Sequence, residues 1–205
     1  MCQFKSAIIL KDRVFIPDYD SHTDMLEELK IEDTVANAER LFIRAELIPY
    51  NNDVFSDIDK WLFVVDQDIT PDWYVENYDK QRMIKAVKEW AKSHIHIGVG
   101  NLRLDSGSEH YIKDCKNVLI CGNATVKYIC GNATVNNICD NATVEKTAGR
   151  SVISTSPYHR FNNLHKVLLL ENSTIKDNYN KVIYQLGDYK LVTVTDGKIT
   201  QFTKS

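Results

Sequence analysis

Apolar and polar residues alternate with a fixed period between Cys121 and Thr147, where a nine-residue unit occurs three times in succession. Each copy contains a Cys, two turn-forming residues, Ala-Thr-Val, two positions that differ between copies and a final Ile or Thr. Side chains alternate across a strand, so Ala and Val of each copy point to one face and Thr to the other. Because so short a unit has no core of its own, we expect it to bury its apolar face by stacking on its copies.

Two nonapeptides per coil, or about 18 residues per turn, are the simplest way to stack these units, and they predict a narrow β-solenoid. The alternative is an antiparallel meander, whose turns need less regular spacing. In the solenoid, Cys121 stacks on Cys139, and Cys130 lies on the opposite side. We interpret these cysteines as small buried thiols, because they lack the paired close spacing of a zinc site.

The residue that precedes Asn in each copy is Gly122, Gly131 or Asp140, a residue type that tolerates left-handed backbone at a corner. The calcium-binding β-roll also repeats every nine residues, but it needs an aspartate at each turn. Only Asp140 meets that requirement here, so we do not expect calcium in the repeat.

Upstream of the repeat, mixed patterns predict an α+β head domain over residues 1–98, in the order two strands, helix, two strands, helix. Runs rich in β-forming residues predict strands at 4–10, 13–16, 41–47 and 61–65. The last of these is apolar on both faces and is therefore expected to be central. Ser21 has the spacing of a helix cap, and apolar residues at helical spacing predict a longer helix at about 79–93.

The remaining residues, 99–205, are predicted to form the repeat domain and its closing cap. The strand at His94–Ile97 leads into it. Beyond the repeat, short strands are predicted at 167–170, 174–175, 181–186, 190–195 and 198–202. Gly187-Asp188 and Asp196-Gly197 are expected to be hairpin turns. These hairpins would close the open end of the solenoid, as terminal caps do in repeat proteins.

Composition limits the function classes. A hydrophobic content of 43% and a charged content of 26% are ordinary for a soluble globular protein. A net charge of −3 argues against general nucleic-acid binding, which requires a basic excess. The apolar runs are too short to span a bilayer, and no secretion signal is seen at the N-terminus. Five cysteines without framework spacing fit a reducing compartment, so we expect a cytoplasmic protein.

Cys2 is a candidate catalytic residue. Removal of Met1 would expose an α-amine beside the thiol, the pairing that N-terminal nucleophile hydrolases use. The hairpin predicted over residues 3–16 also matches the start of such enzymes. The simpler interpretation is a small N-terminal residue beside a sheet.

Two acidic loops supply further candidates. Asp20 and His22 lie on one predicted turn, and Asp66 and Asp68 follow a predicted strand. If both strands belong to one sheet, the loops meet at its edge, where a His near carboxylates can act as acid or base or hold a metal. The simpler interpretation is capping and turn chemistry, and we expect no metal and no cofactor. His94 and His96 share a strand face, which by itself is a weak metal signal.

The Met-Cys-x-Phe start, the Asp-Tyr-Asp-Ser-His turn, Val-Asp-Gln-Asp-x-x-Pro-Asp-Trp and the Asn-Ala-Thr-Val repeats occur together here. In this combination the chain resembles a group of uncharacterised proteins from gut bacteria and their phages. The resemblance covers about residues 1–147 and implies no activity. It implies that a constant head carries a repeat tail of adjustable length, as a spacer or assembly surface would.

Two functions from different classes remain. The first is a non-enzymatic interaction or assembly protein that presents its solenoid surface to a protein partner or to itself. In that case we expect a homodimer formed through an outward strip of Thr125, Thr134 and Thr143. The second is a small thiol-dependent hydrolase or transferase that uses Cys2. Sequence alone leaves open whether the protein is an enzyme.

Overall fold

The computed structural model describes residues 4–155 and 167–177 in full, and the backbone of strands at 182–185, 190–195 and 198–203. Contacts divide the chain into two compact units, Met1–Ser93 and His94–Ser205. The first combines helices with an antiparallel sheet, and the second is a β-solenoid. Within the described ranges, no helix has both the length and the apolar character needed to cross a membrane.

A four-stranded antiparallel sheet forms the centre of the head unit, in the order β2-β1-β3-β4. The strands are β1 (Lys5–Leu10), β2 (Val14–Phe15), β3 (Phe42–Ile48) and β4 (Leu62–Val65). The helices are α1 (His22–Glu28), α2 (Val35–Ala38) and α3 (Glu76–His94). The predicted order of strands and helices is confirmed, and α2 lies where a second helical turn is expected, around residues 35–39.

The prediction that the fourth strand is central is wrong, because β4 lies at the edge of the sheet. Its first residue, Leu62, is 62% exposed. An apolar run reports what covers the two faces of a strand. It says nothing about how many hydrogen-bonded neighbours the strand has.

Both faces of the head sheet are covered. Helix α1 packs Met25 and Leu26 against Ile8 and Phe42 on one face. On the opposite face, the ammonium of Lys5 lies 4.8 Å from the ring centroid of Trp90 in α3. Glu46 lies on the same face of β3 as Phe42, the face on which α1 packs. Its side chain is only 5% exposed, which is unexpected for a carboxylate.

The second unit consists of two sheets, in which strands from successive coils pair in parallel. Hydrogen-bonded partners such as Thr125 and Thr143 are 18 positions apart, which confirms the predicted coil length. The first solenoid sheet contains β5 (Ile95–Ile97), β7 (His110–Lys113), β9 (Thr125–Cys130), β11 (Thr143–Val144), β12 (Lys146–Thr147) and β14 (Leu168–Leu169). The second contains β6 (Leu102–Leu104), β8 (Val118–Ile120), β10 (Thr134–Ile138), β13 (Val152–Ser154) and β15 (Thr174–Asp177).

The inward positions of the repeat form the solenoid core, as predicted. The Ala and Val of all three Ala-Thr-Val segments are completely or almost completely buried. The strip of three outward threonines is a wrong expectation, because Thr134 pairs with Val152 in the second sheet. A unit of nine residues is half a coil, so alternate copies face opposite sides of the solenoid.

Left-handed backbone occurs at the corners, where Gly131 has a φ of 67° and Asp140 has a φ of 58°. A Cβ atom on Gly122, whose φ is 60°, would lie 2.0 Å from the carbonyl oxygen of Asp105, so glycine is required there for space as well as for conformation. Acidic side chains at such corners accept a hydrogen bond from a backbone amide of the neighbouring coil. The pairs are Asp114 with Asn132 (2.7 Å), Asp140 with Gly122 (3.0 Å) and Glu171 with Gly149 (2.6 Å).

Antiparallel strands close both sheets at the C-terminal end. β15 pairs with β16 (Val182–Gln185), β14 pairs with β17 (Lys190–Thr195), and β17 pairs with β18 (Lys198–Thr203). The predicted closing strands are therefore confirmed. The two predicted hairpin turns, at 187–188 and 196–197, lie outside the described residues.

Candidate functional site

Three side chains from separate elements of the head meet in one cluster. His22 is the first residue of α1, whose cap is Ser21: its Oγ accepts a hydrogen bond from the backbone amide of Asp24. Asp66 follows β4, and Glu46 comes from the middle of β3. Nδ1 of His22 lies 3.3 Å from Oδ2 of Asp66, and one potential ligand atom from each of the three side chains lies within 4.8 Å of the others.

The orientation of the His22 ring is set by the backbone. Its Nε2 lies 3.2 Å from the carbonyl oxygen of Ala45, and the residue is 6% exposed. A carbonyl oxygen only accepts, so Nε2 carries a hydrogen. In the neutral ring, Nδ1 then presents its lone pair to the carboxylates, whereas in the imidazolium form Nδ1 donates to Asp66.

Solvent reaches this cluster from one side. The Asp66 side chain is 61% exposed, in contrast to His22 and Glu46. Lys5 of β1 pairs with Asp20, and Arg44 of β3 pairs with Asp33. The three residues of the cluster supply one imidazole and two carboxylates.

The structure unites only part of the predicted site. His22 and Asp66 are brought together, whereas Asp20 accepts hydrogen bonds from the Lys5 ammonium at 3.1 Å and from the Ser6 amide at 3.0 Å. Asp68 is exposed and is not one of the three clustered residues. Cys2 lies outside the described residues, so the thiol-enzyme hypothesis stays a prediction.

Sequence reasoning missed Glu46. Strand alternation places Glu46 beside Arg44 on the polar face of β3, which is expected to meet solvent. The one available signal was the amphipathic pattern of helix α1. If this helix packs on the polar face of β3, Glu46 is shielded from solvent and its carboxylate requires polar partners within the protein.

A second group with metal-binding side chains occurs in the solenoid, where Cys121, Cys139 and Asp140 lie together. Burial raises the pKa of Cys121 to about 12, and its hydrogen bond to Oδ1 of Asp105, at 2.8 Å, acts in the same direction. Burial also raises the pKa of Cys139. Metal ligation requires thiolates, so raised pKa values support the interpretation of these cysteines as core thiols.

His94 and His96 are joined by His110 in the first coils of the solenoid. Nε2 of His96 lies 3.4 Å from Nδ1 of His110, and the rings of His94 and His110 stack with centroids 5.6 Å apart. Nε2 of His110 also lies 2.9 Å from the carbonyl oxygen of Ser106 and donates to it. His96 is in register with core residue Ile112, so this group packs where aliphatic residues stand in later coils.

The outer face of the first solenoid sheet, termed the ladder face, carries a column of half-buried residues. Strand register aligns one outward residue from each coil: Ile95, Tyr111, Tyr128, Lys146 and Leu168. The ammonium of Lys146 lies 4.7 Å from the ring centroid of Tyr128. The column is thus apolar and aromatic with one cation, which itself sits on an aromatic ring.

Polar residues beside this column pair with their counterparts one coil away. Nζ of Lys127 lies 2.7 Å from Oε1 of Glu145, and Oγ1 of Thr143 donates to Oγ1 of Thr125 at 2.9 Å. Both pairs span 18 positions. The ladder face therefore satisfies its polar groups largely within itself.

Comparison with known proteins gave no matching family model, no similar curated protein and no similar solved structure.

Proposed function

We propose that this chain is an interaction protein and that its ladder face binds a second copy of the chain. One observation carries the proposal: Lys127 and Glu145 occupy the same position in successive coils. One positive and one negative charge therefore lie side by side along the solenoid axis, next to a column of half-buried residues.

Such a charge pattern is complementary to itself. A two-fold axis that runs parallel to the strands, midway between the coils of Lys127 and Glu145, exchanges these two positions. Lys127 then faces Glu145 of the second copy, and Glu145 faces its Lys127. A two-fold interface uses the same patch on both subunits, and this patch presents no like charges to itself at the central pair.

The adjoining column fits the same operation. Tyr111 falls opposite Leu168 of the second copy, which joins an aromatic to an aliphatic side chain. Tyr128 falls opposite Lys146, which repeats between copies the cation–π contact found within the chain. Apolar burial in this column supplies the main stabilisation, and the charge pairs supply register.

Covering this face costs little polar solvation. An interface is weakened when polar groups are buried without partners. Here, the hydroxyl pair of Thr125 and Thr143 and the ion pair beside it are already formed in each chain. A second sheet can therefore cover the face without leaving these groups unsatisfied.

Multi-angle light scattering on the full chain across a concentration series tests the proposal. We expect a dimer for the unmodified chain and at least a tenfold weaker association for Lys127→Glu, equivalent to about 1.4 kcal/mol. Lys92→Glu is the matched control, since Lys92 also forms an exposed ion pair with a glutamate but lies on α3. A monomer at about 1 mM, the weakest range of specific affinity, or equal effects of both variants, would contradict the proposal.

A further inference from the structure

We propose that His22, Glu46 and Asp66 form a binding site for a divalent first-row transition-metal ion. The three ligands come from the start of α1, the middle of β3 and the end of β4. The site lies in the head unit and is independent of the ladder face, so each proposal can fail without the other.

The spacing of the potential ligand atoms suits such an ion. Two ligands that sit about 2.1 Å from a tetrahedral metal are about 3.4 Å apart. Nδ1 of His22 and Oδ2 of Asp66 are 3.3 Å apart, which matches this value. The complete set of three atoms lies within 4.8 Å, so the carboxylate of Glu46 closes on the ion by a small side-chain adjustment.

The contact behind His22 is the one that metal-binding histidines make. A ligating imidazole almost always donates its second N–H to a carbonyl or a carboxylate, which fixes the ring and its tautomer. Nε2 of His22 lies 3.2 Å from the carbonyl oxygen of Ala45, in a buried position. This contact lies outside the three-residue cluster and directs Nδ1 to the place where the carboxylates converge.

The charges of the cluster agree with a cation. Glu46 is 5% exposed, and a second carboxylate, Asp66, lies beside it. Two carboxylates that share a site repel each other when both are ionised. A divalent ion between Glu46 and Asp66 removes this repulsion by binding to both.

The ligand set and its exposure define the class of ion. One imidazole nitrogen and two carboxylate oxygens, without sulfur, suit Zn²⁺, Mn²⁺, Fe²⁺ or Co²⁺. Three protein ligands leave a coordination position open, which is typical of catalytic rather than structural metal sites. The exposed side of Asp66 gives the ion a path from solvent and leaves that position accessible to water or a small ligand.

The test is calorimetric titration of the metal-stripped full chain with Zn²⁺, with the visible absorption of bound Co²⁺ as a second readout. We expect one equivalent to bind and Asp66→Asn to weaken binding by about a hundredfold or more, because a direct ligand is lost. Asp66 is exposed, so this variant is expected to fold, and Glu46→Gln then tests the buried ligand. Asp68→Asn, in the same loop, is the matched control and should bind as the unmodified chain does.

Three results would overturn the proposal. The first is an unmodified chain that binds neither ion. The second is an equal effect of Asp66→Asn and Asp68→Asn. The third is binding that Cys139→Ser abolishes and Asp66→Asn does not, with sulfur-to-cobalt charge-transfer bands, which would place the ion beside Cys121.

Discussion

The head and the solenoid of this chain stabilise their polar residues in opposite ways. In the head, polar groups distant in sequence and different in type meet in buried sites, as Lys5 does with Asp20. In the solenoid, a polar residue contacts the equivalent position one coil away, as Thr125 does with Thr143 and Asn123 with Asn141.

This difference determines where specific chemistry can arise. Each repeat copy must fit both of its neighbours, which favours small thiols, threonine and amide ladders and leaves little scope for a unique site. A non-repetitive fold can join an imidazole and two carboxylates from three elements, as it does at His22. The two proposals follow this division: the proposed self-association uses the periodic surface, and the proposed ion site lies in the head.

The largest effect is expected from a charge in the periodic core. Val135 is fully buried and pairs with Val118 and Ile153 in the neighbouring coils. Val135→Asp places an unpaired carboxylate between them and should lower the free energy of unfolding of the solenoid by about 4 kcal/mol or more. Denaturant unfolding followed by circular dichroism measures this loss.

The control for that substitution is the next residue. Asn136 is exposed, and its side-chain amide donates a hydrogen bond to Oδ1 of Asn117 at 3.3 Å. Asn136→Ala should cost less than about 1 kcal/mol, because an exposed hydrogen bond competes with water. Similar losses for both variants would show that inward and outward positions are misassigned.

The second effect concerns the solenoid thiols. Because the pKa of Cys121 is raised from 9.0 to about 12, its thiolate fraction at pH 8 should fall by roughly a thousandfold relative to the unfolded chain. Alkylation rates resolved by mass spectrometry, for native and urea-unfolded protein, measure this ratio. The folded state holds this proton more tightly, so the corresponding stability is complete below pH 9 and is lost as the pH rises towards 12. Equal alkylation rates in both states would contradict the assignment of Cys121 as a core thiol.

A smaller effect compares ion pairs of the two regions. Asp20→Asn removes a carboxylate that pairs with the ammonium of Lys5, which is 1% exposed, and should destabilise the head by about 3 kcal/mol. Glu145→Gln breaks an exposed pair and should change stability by less than about 1 kcal/mol. Thermal unfolding of protein dilute enough to be monomeric gives both values. A larger loss for Glu145→Gln would reverse the comparison.

The solenoid could be predicted because its contacts recur at a fixed spacing in the sequence. The spacing of nine residues and the geometry of strands together predict coils of 18 residues, the inward Ala and Val positions, and the stacking of Cys121 on Cys139. The long helix α3 and the cap at Ser21 follow from local patterns in the same way. The threonine strip is wrong because Thr134 lies half a coil from Thr125 and from Thr143 and therefore belongs to the other sheet.

The head site was only half predictable, because its contacts join elements that no period relates. His22 and Asp66 were linked by the expectation that their loops meet at a sheet edge, and the structure brings them to 3.3 Å. Glu46 was missed because alternation alone assigns it to solvent, whereas helix α1 covers that face. The position of β4 at the edge of the sheet was missed for a related reason. The apolar pattern of a strand shows which of its faces are buried, but it does not show how many strands pair with it.

The most direct test of the proposed self-association is to mix two charge variants of the ladder face. Lys127→Glu gives a chain with two acidic residues at the central pair, and Glu145→Lys gives a chain with two basic ones. The two-fold arrangement predicts that each variant alone is mainly monomeric by light scattering. It also predicts that an equimolar mixture forms a one-to-one heterodimer, because every central contact then joins opposite charges. A mixture that stays monomeric while the unmodified chain dimerises, or variants that each dimerise alone as the unmodified chain does, would contradict it.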